Sequence, residues 1–294
     1  MQPYHLYKLN IHALLYFSLF ILICLTQCSP KTSVAPNNDV PHRLVALTPS
    51  IAETLCAMGF EDKLVAASRY TKRGEYCHEY IELQSMPADL EAILALKPDL
   101  VLAHPSDSKL AQSMHKRGIL FRAYAMDSIE SIKSAATDMA ELLGEREKAE
   151  AFNAKLQTDI DEITQKHDLR KSPSVVLVVE AFASQRSNFY IAQHNAYLAE
   201  CAKLCGARVL SHAQNDWQLI EAETLIQLDP DLILHFAPEY ANASDLARLW
   251  REKYPRLRAI QNDGIRVFTN PRLSLPGPNL GLALQEICHN IAQL

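Results

Sequence analysis

Cys77-His78 sets a nucleophile beside a base, an arrangement that invites a covalent mechanism. Neighbours in sequence need not face each other, and no serine elbow, oxyanion-hole signature or paired-carboxylate pattern accompanies them. The histidines include no HxH or HxxxH and the cysteines no CxxC, so a four-ligand zinc site is not expected. The 8 glycines offer no phosphate loop either, since the nearest pair, Gly277 and Gly281, is interrupted by Pro278. What remains are groups suited to contact. Trp217 offers a flat apolar face, and Tyr70 a second ring after a strand-like run. Arg69, Arg73, Arg186 and Arg272 offer guanidinium forks for planar anions, and His104 follows another strand-like run. Against each stands a plainer role: core packing for Trp217, a solvated charge for each arginine, a hydrogen-bonding neighbour for His104 or His235.

A net charge of −5 gives no footprint for nucleic acid. Residues 1–27 hold no Asp, Glu or Arg and contain the apolar run Ala13–Thr26, which has the length of a signal-peptide core rather than of a membrane span. That run leads to Leu25-Thr26-Gln27-Cys28, which resembles a bacterial lipobox. Cys28 is therefore the expected lipidation site, with an ordinary secretory signal as the alternative. Residues 28–41, polar and proline-rich, read as a tether. Export to the periplasm or cell surface places Cys56, Cys77, Cys201, Cys205 and Cys288 where disulfides persist.

These residues need elements to position them. Strand-like runs occur at Arg43–Leu47, Leu64–Ser68, Leu100–Ala103, Phe121–Ala125, Ser174–Glu180, Leu232–His235 and Ile265–Thr269. Helical spacing fills most of the gaps, so the class is α/β with mainly parallel strands. Asp127-Ser-Ile-Glu130 reads as a capping box opening a helix that ends at Gly144. Glu145–His167, with Phe152, Leu156, Ile160 and Ile163 on one stripe, reads as a rigid connector about 35 Å long. The chain also repeats itself. Leu90-Glu-Ala-Ile-Leu-Ala-Leu-Lys-Pro-Asp-Leu-Val-Leu102 aligns without gaps on Ala222-Glu-Thr-Leu-Ile-Gln-Leu-Asp-Pro-Asp-Leu-Ile-Leu234, and Ala52-Glu53…Gly59 matches Ala199-Glu200…Gly206. The boundaries that follow are an N-terminal lobe at 42–144, a connector at 145–168 and a C-terminal lobe at 169–294.

The phrases Arg43-Leu-Val-Ala-Leu-Thr-Pro-Ser-Ile-Ala-Glu-Thr-Leu55, Gly59 and Leu90–Leu102 resemble the helical-backbone (class III) substrate-binding proteins of ABC importers, and the likeness runs from about Arg43 to Leu294. It implies two Rossmann-like lobes joined by one long helix, and a metal chelate (corrinoid, haem or ferric siderophore) held between them. It also implies an ABC permease with its ATPase subunits as partners, a membrane attachment through the lipid, a monomeric state, and neither cofactor nor enzymatic activity.

Within that class the likeness is to the vitamin B12 binders. Trp217 and Glu223 match the spacing of a ligand-contacting tryptophan and a docking glutamate; Glu91, its repeat partner, is the second docking carboxylate. Cys205 and Cys288 fall where that branch carries a disulfide, Cys56 could pair with Cys77, and Cys201 is left as a buried thiol. Two departures matter. Leu83–Asp89 is short where relatives carry a Gly-rich or Trp-containing loop. Thr71-Lys72-Arg73 is basic, which suits an anionic ligand better than a neutral corrinoid. A free divalent metal such as zinc or manganese, or a periplasmic enzyme using the same cleft, are the alternatives.

Overall fold

The computed structural model describes residues 40–167, 172–181, 188–212 and 214–294. The signal segment, most of the tether, Cys28 and Arg186 lie outside the described residues.

Five short runs make a wholly parallel sheet: β1 (Leu44–Ala46), β2 (Leu64–Ser68), β3 (Ile81–Leu83), β4 (Leu100–Ala103) and β5 (Leu120–Ala123), in the order β3-β2-β1-β4-β5. Helices α1 (Pro49–Ala57), α2 (Leu90–Ala95) and α3 (Ser108–His115) lie between them, and α4 (Ile129–Leu142) follows β5. Strands β1 and β4 are buried throughout, as a sheet covered on both faces requires. Gly144, with φ 74°, carries the chain out of α4 into the long helix α5 (Arg146–Gln165).

The second sheet holds β6 (Ser174–Ala181), β7 (Asn188–Ala192), β8 (Arg208–Val209), β9 (Trp217–Glu221), β10 (Leu232–Phe236) and β11 (Ile265–Phe268). Its order is β11-β10-β6-β7-β9, with β8 beside β6. The helices here are α6 (Tyr197–Leu204), α7 (Ala222–Leu228), α8 (Ala243–Lys253), α9 (Arg258–Gln261) and α10 (Leu280–Ala292). Strands β3, β7, β8 and β9 were not expected, and β7 runs antiparallel to both β6 and β9.

The sequence repeat is a structural one. Helices α2 and α7 start on Leu90 and Ala222 and end before Lys97 and Asp229. These are equivalent residues, both left-handed (φ 49° and 39°) and both followed by proline. The Pro-Asp of each phrase then ties neighbouring strands together. Asp99 Oδ2 accepts from the His42 and Arg43 amides at 2.8 and 2.9 Å, and Asp231 Oδ2 accepts from the Ser174 amide and hydroxyl at 2.8 and 2.6 Å.

Helix α5 buries Ala149, Phe152, Leu156 and Ile160, the last three contributing about 1.5–3 kcal/mol each by area removed from water. Its stripe joins one apolar cluster with Leu44 and Leu100 of the first sheet, Leu177 and Leu234 of the second, and Ile287 of α10. The two lobes thus share a core through their connector. Among the described residues no helix is long and apolar enough to cross a membrane.

Candidate functional site

Helix α4 opens one residue later than the sequence suggests. Ser128, not Asp127, is the cap: its hydroxyl accepts from the Ser131 amide at 3.1 Å, and Ser131 Oγ accepts from the Ser128 amide at 2.8 Å. The shift releases Asp127 for another role. Met126 before it is buried and left-handed at φ 55°, a conformation costly for a side chain of that size. Beyond the kink, the Asp127 carbonyl accepts from the Tyr197 amide at 2.7 Å, and the Ile129 amide donates to Glu200 Oε2 at 2.6 Å. The loop after β5 thereby meets the start of α6 from the other lobe.

Around this junction four polar groups gather, two from each lobe. Asp127 is half-buried, and loss of water pushes its carboxyl above the usual range. The Asp216 carboxylate pushes the same way, while His104 and the Trp217 indole N–H oppose the rise. Trp217 Nε1 is buried and makes no hydrogen bond of normal geometry. Its ring stacks beside Tyr190 at 6.0 Å and lies 6.0 Å from Tyr197. His104 is held by Ser106, whose hydroxyl lies 2.9 Å from its Nδ1. Trp217 opens β9 opposite Ala192, which itself pairs with Leu177 in mid-strand. The antiparallel pairing of β7 with β9, not the C-terminal edge of a parallel sheet, delivers it.

Of the residues expected at a site, His104 and Trp217 both act on the Asp127 carboxyl. Tyr70 is 52% exposed after β2, with the Arg69 guanidinium 5.4 Å from its ring. Arg73 is engaged within its own lobe, by Glu82 at 2.9 Å, by the Tyr80 carbonyl at 2.8 Å and over the Tyr80 ring. Arg272 pairs with Glu75 and donates to Asn279 at 2.9 Å. Asp216, Tyr190 and Tyr197 were missed; the acidic residue immediately before Trp217 was the available signal.

Glu91 and Glu223 are exposed in the first turns of α2 and α7. Glu223 borders a depression of about 780 Å³ with Asn188, Ile226, Lys253 and Tyr254.

Disulfides join Cys205 to Cys288 and Cys56 to Cys77, leaving Cys201 as a buried thiol. Cys77 is therefore no thiolate nucleophile, and His78 pairs with Glu61 instead. His235 is buried, accepts from Trp250 Nε1 at 3.0 Å and is pushed down to about 3 by burial. Among the described residues no group of three or more His, Cys, Asp or Glu is placed to hold a metal ion.

A model of periplasmic binding proteins matches residues 44–267. A vitamin B12-binding protein of Vibrio cholerae is 26% identical over 84% of this chain and 88% of its own. An ABC transporter substrate-binding lipoprotein of Bacillus subtilis, YvrC, is 23% identical over 90% and 88%. Among solved structures, IsdE of S. aureus complexed with heme superposes with a TM-score of 0.71 at 18% identity, covering 85% of this chain and 98% of that one.

Proposed function

As the chain belongs to the periplasmic binding protein family, we propose that it is the extracytoplasmic binding component of an ABC importer that takes up a metal chelate. The ligand sits between an N-terminal lobe at 42–144 and a C-terminal lobe at 169–294, with the connector at 145–168. The observation that carries this reading is the junction of His104 and Asp127 from one lobe with Trp217 and Tyr190 from the other. An aromatic face with polar groups at its rim suits a large planar ring system bearing polar substituents. The named B12-binding relative and the heme-bound structural neighbour support the same ligand class.

The shared core through α5 favours small lobe movements on binding. Glu91 and Glu223 then present one carboxylate from each lobe to basic residues of the permease, and ATP is hydrolysed on other subunits. A lipid on Cys28 anchors the protein, in keeping with the lipoprotein named among its relatives.

Titration of the intrinsic tryptophan fluorescence with cobalamin, haem and ferric siderophores tests the reading. Sub-micromolar quenching by one of them is expected. Silence toward all of them, with binding of zinc instead, would overturn it.

A further inference from the structure

The sequence led toward a basic cleft and an anionic ligand, but the charges around Trp217 are of the other sign. Arg73 and Arg272 are engaged by Glu82 and Glu75, whereas the Asp127 carboxyl meets the Trp217 indole N–H and faces the Asp216 carboxylate, the residue just before that tryptophan. Asp216 is itself fixed, its Oδ1 accepting from the Asn195 amide at 3.0 Å and its carbonyl from the Gln193 amide at 2.8 Å. The Asp127 side chain caps no helix, because Ser128 and Ser131 do that work for α4. The left-handed turn at buried Met126 sets its direction. A non-glycine residue held in that conformation is the kind of strain that persists where a side chain must be aimed.

Two carboxylates beside a flat ring make a rim of hydrogen-bond acceptors, with the His104 imidazole as the balancing group. Such a rim accepts N–H donors through charge-assisted bonds and repels carboxylates. We propose that Asp127 is a specificity-determining residue, selecting a neutral chelate with carboxamide substituents over one with carboxylate substituents. The inference rests on the chelate-binding reading above and narrows its ligand class.

The test compares cyanocobalamin, whose rim carries carboxamides, with haemin, which carries two propionates. Dissociation constants for both are measured by calorimetry on the wild type, Asp127→Asn and Asp216→Asn, with thermal melts to confirm folding. The wild type should prefer cyanocobalamin. Asp127→Asn should weaken that ligand about tenfold, the effect of losing a charge-assisted hydrogen bond, and strengthen haemin. Asp216→Asn should shift the ratio in the same direction, which keeps the proposal testable should Asp127→Asn fold poorly. A preference for haemin in the wild type, or a ratio unmoved in both variants, would overturn the role of Asp127 while leaving chelate binding intact. Binding of neither compound by the wild type would instead count against the chelate reading itself, and against this inference with it.

Discussion

Glu53 and Glu200 occupy the same place in the two halves of the repeat, and each accepts a hydrogen bond from a segment outside its own helix and sheet. Glu53 on α1 accepts from Asn279 Nδ2 at 2.6 Å, just before α10; Glu200 on α6 accepts from the Ile129 amide at 2.6 Å, at the start of α4. The pair staples the lobes reciprocally. Asn279 also receives Arg272, which pairs with Glu75, so the Glu53 staple extends into a chain of polar contacts.

Glu53 is 3% exposed, and burial raises its carboxyl above the ordinary 4.5, against the lowering effect of Asn279. A raised carboxyl pKa means that the folded state binds the proton more tightly than the unfolded one. The contribution is therefore fully present below 4.5 and is lost as pH rises through the folded-state value. Replacement by Gln removes this dependence. Melting temperatures of wild type and Glu53→Gln, taken from pH 8 down to pH 5, should show the variant's relative stability decreasing as pH falls. Asp231, held low by its Ser174 hydrogen bonds, runs the other way, and subtracting one protein from the other cancels it. A gap that does not move with pH would contradict the assignment.

Gly277 lies two residues before Asn279, the donor to Glu53. Its φ is +110°, and a β-carbon there would lie 2.6 Å from Thr54 Oγ1, whose hydroxyl is already committed to the Ser50 carbonyl at 2.7 Å. Gly277→Ala should cost about 2 kcal/mol or more, combining backbone strain with a clash in a packed site. Gly118→Ala, at φ +70° with nothing within 4 Å, carries only the conformational part, about 1 kcal/mol. Equal losses in urea denaturation would show that the packing argument is wrong.

The two disulfides should rank by the length of chain they close. Cys205–Cys288 spans 83 residues and Cys56–Cys77 spans 21, which in the chain-entropy model corresponds to about 4.5 and about 3.3 kcal/mol. Replacing each pair with serine and comparing denaturation midpoints gives the order. The Cys56–Cys77 variant should also loosen the segment bearing Glu75 and Tyr76, which meets Arg272 and Pro278. Hydrogen exchange in residues 71–80 would rise selectively; uniform exchange would argue against that local role.

How much of this could be read beforehand follows from burial. Strands such as β4 and β10 are apolar on both faces and bounded by Pro-Asp, so they stand out as continuous runs. The edge strands do not. Along β9 only Ile220 is buried while Leu219 is 55% exposed, and β3 exposes Ile81 and Glu82. Strand β7 was hidden by the expectation of parallel alternation, although Phe189, Ile191 and Ala192 are buried. The site suffered for the same reason, since β7 and β9 carry Tyr190 and Trp217. Asp127 was misread because Asp-x-x-Glu and Ser-x-x-Ser both satisfy the capping pattern one residue apart. The reciprocal Ser128–Ser131 hydrogen bonds decide between them.

Under the proposed function, the repeat would also separate transport from binding. Glu91 and Glu223 lie in the first turns of equivalent helices and are exposed. A double replacement by Arg should leave chelate affinity within twofold and abolish uptake through the cognate permease. Unimpaired uptake would remove these two carboxylates from the docking surface.

The two tryptophans sit in different surroundings. Trp250 is fully buried, donates to His235 at 3.0 Å and stacks on Phe189 at 5.1 Å, so a ligand between the lobes leaves its surroundings unchanged. Trp217 is partly exposed beside Tyr190 and Asp127, where the proposed ligand would meet it. Trp217→Phe should reduce chelate-induced quenching while retaining binding by calorimetry, weakened by about tenfold or less because a smaller ring still stacks. Trp217→Ala should weaken binding further. An affinity by calorimetry unchanged in both Trp217 variants would place the ligand away from strands β7 and β9 and would move the site to the Arg69-Tyr70 end of the first sheet.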